Sequence, residues 1–277
     1  MPIIWSMVAA AENDALLVVD KQNSSLKRVN LLNGIVDVLY RSSDSNSLLG
    51  AAFVADSQNR MPILLLAEMQ SNAAEKTMTY SLAVAEQRGA TWTSTQRFPH
   101  DSAPSDLRDG SFASICAMRT NKVLCGVNRS ASIDVISVNS AGEARKECFA
   151  HQCFTCGVCD GTEMLFVSEH YSAKVHILEV CDGAPLALQL LRCISSLGER
   201  LLWRDNGLLF SGEYNSNANS VRVWRVSRCG RAELLEDSPI TCADNVQINC
   251  WCSIGDKIAI WDWNSKQLNI YTTDMHK

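Results

Sequence analysis

A chain of 277 residues with 47% hydrophobic and 20% charged side chains can bury a full core, which excludes an intrinsically disordered protein. Its net charge of −5 argues against a general nucleic-acid binder, which needs a basic footprint. No apolar run reaches the roughly 18 residues that a transmembrane helix requires.

The elements read in chain order are all strands, because no apolar set recurs with helical spacing over three turns. The apolar start has no basic residue before it, as a secretory signal would, so residues 3–11 read as a first strand. An apolar run at 16–20 then leads through a polar turn into an alternating run at 26–29, and a further strand follows at 35–40. The same sentence repeats. A strand at 48–55 precedes the pair 63–68 and 78–82, followed by 91–98. A strand at 112–118 precedes 123–128 and 133–136, followed by 144–149. A strand at 154–159 precedes 164–169 and 175–178, followed by 185–193. A strand at 197–203 precedes 208–213 and 221–224, followed by 232–236. Last come 246–253, 258–262 and 268–271, with no fourth run after them.

The residues that close the second run of each set are Asp20, Glu68, Asn128, Glu169, Glu213 and Asp262, at spacings of 48, 60, 41, 44 and 49. A period of this length that holds several short strands is the signature of a β-propeller blade. The expectation is an all-β single propeller domain over residues 1–277. It has 23 strands, lettered a to d from the axis outward in each blade, and six blades, with seven as the alternative. The last blade is incomplete, and its bare edge is open to strand pairing with a partner.

Two hairpins carry a resemblance. The segment Asp20-Lys21-Gln22-Asn23-Ser24-Ser25-Leu26-Lys27-Arg28-Val29 resembles the core of an NHL repeat. Ser220-Val221-Arg222-Val223-Trp224-Arg225-Val226 is similar to the third strand of a WD40 blade. Repeated Gly-His and Trp-Asp punctuation is absent, and Trp261-Asp262 stands alone on a b strand. The resemblance implies a propeller used as a protein-interaction platform.

Four constellations are candidates for chemistry. Asp20, Glu68, Glu169, Glu213 and Asp262, with Asn128, end the b strands and form an acid ring at the b–c loops. A short acid there normally accepts hydrogen bonds from its own turn; a ring of them could also hold a cation or a basic segment. Cys148, His151, Cys153, Cys156 and Cys159 have zinc-ligand chemistry. Alternation along a strand sends Cys153 and Cys156 to opposite faces, so packing is preferred and no metal is expected. Between residues 192 and 231 seven arginines, among them Arg222, Arg225 and Arg228, face three acids, a basic patch that could meet phosphate or an acidic peptide. Asp244, Asn245 and Asn249 are the one carboxylate–amide cluster near an inner strand, the place where a propeller hydrolase would hold metal.

No nucleophile elbow, P-loop or dinucleotide fingerprint occurs, and no cofactor is expected. The expected function is therefore a non-catalytic scaffold. A metal-dependent hydrolase and an RNA-binding propeller are the alternatives. Three long connections, 99–110, 69–77 and 214–219, all belong to the b–c and d–a side. With Asp101, Asp106 and Asp109 they should make that face acidic and suited to a basic partner segment. The 12 cysteines cluster after residue 115. This favours reduced, mostly buried thiols and a cytoplasmic or nuclear protein, with no membrane partner.

Overall fold

The computed structural model describes residues 4–9, 14–42, 46–54, 63–72, 77–88, 91–99, 103–104, 113–117, 122–127, 132–138, 144–150, 154–160, 162–169, 172, 174–181, 187–195, 200–204, 206–212, 221–235, 246 and 248–272. Strands account for every regular element among them. The chain divides into two compact units, Met1–Cys153 and Phe154–Lys277.

The first unit holds three sheets. β1 (Ile4–Ala9), β2 (Ala15–Asp20), β3 (Ser25–Asn30) and β4 (Val36–Arg41) pair in that order. β5 (Asn46–Val54), β6 (Ile63–Asn72), β7 (Thr77–Arg88) and β8 (Thr91–Pro99) form the second sheet, and the short β9 (Ala103–Pro104) adds to β7. β10 (Ala113–Ala117), β11 (Lys122–Val127), β12 (Ser132–Val138) and β13 (Ala144–Ala150) form the third.

The second unit repeats the plan. β14 (Phe154–Cys159), β15 (Met164–Glu169), β16 (Lys174–Cys181) and β17 (Ala187–Ser195) make one sheet. β18 (Arg200–Arg204), β19 (Leu208–Gly212), β20 (Val221–Val226) and β21 (Ala232–Leu235) make the next. β22 (Ile248–Ile254), β23 (Lys257–Asp262) and β24 (Gln267–Thr272) make a last sheet of three. Among the described residues complete blades therefore number five, not the six or seven expected from the repeat. The repeat counts hairpins, and the last hairpin has no fourth strand among the described residues.

Burial explains why these sequences choose these positions. The second strands are buried along their length, as in Ala15–Asp20 and Leu208–Gly212. Residues on both faces of these strands are buried, so they read as continuous apolar runs rather than alternating ones. Third strands alternate, as Val221–Val226 does, and fourth strands are largely exposed. Within the first unit, Leu17, Val19, Leu26 and Tyr40 of the first sheet pack with Leu48, Leu66, Ala83 and Trp92 of the second. Within the second unit, Phe210 and Val223 pack with Ile248, Trp251 and Ile258. Gly212 makes room for this packing: a Cβ would lie a tight 3.1 Å from the Trp251 ring. The Trp251 indole donates to the Leu201 carbonyl at 2.9 Å and ties the last sheet to its neighbour.

Two further differences from expectation concern the second sheet. Residues 69–72 and 77–80 are not an enlarged loop; the β6–β7 ladder runs on to Asn72 opposite Thr77. The connection after β8 returns to this extension, pairing Thr77 with Pro104 and Met78 with Ala103.

Candidate functional site

The acids of the second strands are the repeated feature from which a site can be built, and each described member has its own hydrogen-bond partners. Asp20 is fully buried. Its carboxylate accepts from the Asn23 backbone N–H at 3.3 Å, from Asn23 Nδ2 at 2.6 Å and from Lys27 Nζ at 2.6 Å. Burial pushes the carboxyl up, but the hydrogen bonds from Lys27 and Asn23 and the lysine charge outweigh it and hold the pKa below the usual aspartate value. Ser24 closes the turn with φ of 43°.

Asp262 builds a matching turn. It accepts from the backbone N–H groups of Asn264 at 3.0 Å and Ser265 at 3.2 Å, and from Ser265 Oγ at 2.5 Å. Lys266 closes it with φ of 57°. Glu169 accepts from Ser172 Oγ at 2.7 Å and lies 3.4 Å from His176 Nε2. The Ser172 hydroxyl lowers its pKa, burial opposes this, and His176 adds to the lowering.

Glu68 differs. It does not end its strand, since β6 continues to Asn72. Its buried carboxylate accepts from Tyr40 Oη at 2.8 Å, Ser42 Oγ at 2.6 Å and Asn46 Nδ2 at 3.4 Å, and pairs with Arg97 Nη2 at 3.1 Å. These partners come from β4, β5, β8 and the β4–β5 connection, so Glu68 joins two sheets rather than capping a turn.

A backbone irregularity accompanies the acids. Asp20 pairs with Ile4, Glu68 with Leu48, Glu169 with Phe154 and Asp262 with Ile248. In each of these four first strands the register shifts at the next residue. The bulge inserts one residue and bends the inner strand beside the acid. The β10–β11 and β18–β19 ladders are regular over their described lengths, which stop before Asn128 and Glu213.

Two sequence signals announce this arrangement and were missed. A hydrogen-bonding side chain stands three residues after the acid: Asn23, Ser172 and Ser265. A basic side chain stands seven after it in two hairpins: Lys27 and His176.

The other candidates are less converged. Glu213, Asn128, Asp101, Asp106, Asp109, Asp244 and Asn245 lie outside the described residues. So do His151 and Cys153 of the cysteine cluster. Cys148 is on β13 opposite Asp134, and Cys156 and Cys159 are on β14. Among the described residues no three metal-binding side chains come together. Arg222 and Arg225 are three apart on β20, which sends them to opposite faces. Arg222 is half-buried, while Arg225 and Arg228 are exposed. Arg222 and Arg225 therefore do not share one surface. Asn249 is buried, at the bulge opposite Asp262.

The described thiols are more varied than expected. Cys250 and Cys252 are buried, and burial pushes the Cys250 thiol up to about 12. Cys193 and Cys229 are exposed.

No family model and no curated protein matches the chain. Solved structures do. The β-propeller domain of Cps50 (Swd1) from Myceliophteria thermophila is 13% identical with a TM-score of 0.60, over 98% of this chain and 83% of that one. A chain of a nidogen/laminin complex is 13% identical with a TM-score of 0.59, over 95% and 90%. Streptogramin B lyase is 9% identical with a TM-score of 0.54, over 98% and 83%. At these identities the likeness concerns the fold, which is a β-propeller of the kind shared by NHL-like and WD40 proteins.

Proposed function

We propose that this propeller is a non-catalytic interaction platform whose b–c and d–a loops take a partner protein through a basic segment. The observation that carries the reading is the pairing of β9 with the extension of β7. Four strands complete a blade; here the ladder runs beyond Glu68, and a long connection is drawn back onto it. Chain that exceeds what the turn needs, yet is held by main-chain pairing, is more often functional than incidental. The same connection carries Asp101, Asp106 and Asp109, which supply the negative charge.

The acids of the ring serve this platform indirectly. Asp20 and Asp262 are buried and hold their turns in place, and buried Glu68 joins two sheets; the charge offered to a partner is that of the connection after β8. Sharing a fold with a chain of the nidogen/laminin complex is consistent with a protein partner. A further contact is the edge of the last sheet, open to strand pairing.

The test is to recover bound proteins from the native cell and then titrate an identified partner against the wild type and the Asp101→Lys/Asp106→Lys/Asp109→Lys variant. Binding should weaken in the variant, and wild-type binding should weaken with salt, because exposed charges are screened within about 10 Å at 0.1 M. Unchanged affinity together with unchanged salt dependence would refute this face.

A further inference from the structure

The chain contains two Asn-Gly pairs, Asn33-Gly34 and Asn206-Gly207. Both glycines have positive φ, 72° and 82°, a conformation that glycine adopts without steric cost. An asparagine that precedes glycine is open to attack on its own side chain, because no Cβ shields the glycine nitrogen. The two turns give this shared chemistry different surroundings.

Asn33 sits at the tip of the β3–β4 hairpin, where its Oδ1 accepts from the Ile35 backbone N–H at 3.0 Å. The loop closed by this bond contains the Asn33–Gly34 peptide, so the side-chain amide is held over the bond it must attack. The same N–H polarises the side-chain carbonyl and is placed to meet negative charge that develops on Oδ1. Asn33 and Gly34 are exposed, and a Cβ on Gly34 would meet nothing within 4 Å. One restraint acts on the nucleophile: the Gly34 N–H donates to the Asn30 carbonyl at 2.9 Å. Attack therefore waits for that bond to open, and bonds in solvent-exposed turns open at the low end of the free-energy scale.

Asn206 is exposed too, but the peptide after it is tied down. The Gly207 N–H donates to the Arg204 carbonyl at 3.1 Å, and the Gly207 carbonyl accepts from the Val226 N–H at 2.8 Å. The second bond fastens the β18–β19 turn to β20. A Cβ on Gly207 would lie 3.3 Å from the Val226 carbonyl oxygen, so the backbone is crowded on that side. Leu208, the next residue, is buried and pairs with Arg225. Turning this peptide towards ring closure breaks two backbone bonds and disturbs the ladder that buries Leu208.

We propose that Asn33 is a site of spontaneous modification at which the folded chain converts asparagine to aspartate and isoaspartate, while Asn206 is protected by its turn. The Gly34 nitrogen gives its proton to water and attacks Asn33 Cγ. The new N–Cγ bond closes a five-membered succinimide, the Cγ–Nδ2 bond breaks, and Nδ2 takes up a proton and leaves as ammonia. Water then opens the ring. Addition at Cγ gives aspartate, and addition at the backbone carbonyl gives isoaspartate. Either product adds a negative charge beside Leu32 and Ile35, which are 81% and 56% exposed. Isoaspartate also routes the main chain through the side chain and lengthens the turn that the Asn30 N–H and the Ile35 carbonyl close at 2.9 Å. The site is independent of the interaction-platform reading.

The test is to incubate the full chain in neutral buffer, folded and in urea, and to follow each asparagine by peptide mapping with mass spectrometry. Isoaspartate is read separately by enzymatic carboxyl methylation. In the folded chain Asn33 should convert at least roughly tenfold faster than Asn206, the difference in cost of opening the two turns. In urea the turns are gone, and the two rates should come together. Asn33→Gln should show no conversion at this tip, because its longer side chain does not close the five-membered ring, and its folded chain should lose most of the isoaspartate signal. Two results would each overturn the proposal: a folded-state ratio smaller than this, or no conversion of Asn33 in the folded chain over a time in which the unfolded chain converts.

Discussion

Tyr40 donates its hydroxyl hydrogen to the Glu68 carboxylate at 2.8 Å across 28 residues of chain, joining the outermost strand of the first sheet to the second strand of the next. Both residues are buried. The bond, with that from Ser42 Oγ at 2.6 Å, therefore secures the seam between two blades.

Removing either partner should be costly. Tyr40→Phe and Glu68→Gln should each destabilise the fold by about 1–3 kcal/mol, the usual range when a buried polar group loses its partner. The double variant should lose less than the sum of the two, by roughly 0.5 kcal/mol or more. Urea denaturation of all four proteins measures this. Strict additivity would mean the two side chains act independently.

Alkaline pH probes the same bond. Burial, together with the Glu68 charge, pushes the Tyr40 phenol up from 10.0 to about 12. A folded value above the unfolded one gives stability that is complete below pH 10.0 and is lost as pH rises towards 12. Wild type should thus lose stability faster than Tyr40→Phe across that window. Parallel curves of denaturation midpoint against pH would contradict the assignment.

The Asp20 turn should show the opposite dependence. Its folded pKa lies below 3.8, so its contribution is present above that value and disappears as pH falls through the folded one. Asp20→Asn keeps the shape but loses the charge that Lys27 faces at 2.6 Å. It should destabilise by about 1–3 kcal/mol at neutral pH. The gap from wild type should close in acid, as thermal melts at several pH values will show.

Thiol chemistry should divide the cysteines by position. Cys229 is exposed; a hydrogen bond to Ser227 Oγ at 3.1 Å, with help from Arg231, holds its thiol below the usual cysteine value. It should be the fastest of the described thiols to alkylate in the native protein, ahead of exposed Cys193, and Ser227→Ala should slow it. Cys250 and Cys252 should react only after unfolding. Peptide mapping after brief labelling gives the order directly.

The b–c hairpins were legible in the sequence because they need only local information. An apolar run buried on both faces, a turn residue and an alternating run leave a pattern that no other element copies. Some strand bounds followed closely, with Phe154–Cys159 placed as expected and Val36–Arg41 displaced by one residue, while β6 and β7 run beyond the expected 63–68 and 78–82. Asp20 and Asp262 as turn acids follow from the same local rule, since their acceptors meet donors two and three residues away.

What the sequence could not declare depends on neighbours brought close by folding. Glu68 looks like the other acids in the chain, yet its donors Tyr40 and Asn46 lie 28 and 22 residues away, so its role depends on how two sheets meet. The β7–β9 pairing joins Thr77 to Pro104, and no periodicity records a two-residue strand. The bulges beside the acids leave no composition signal either, because one inserted residue in an apolar strand looks like any other. Ile270 shows the limit most plainly. It matches Val84, Ile177 and Val223 in type and place. Only the surroundings that folding supplies separate them: Ile270 is 44% exposed, whereas Ile177 packs against Leu201 and Leu209, and Val223 against Trp251 and Ile258.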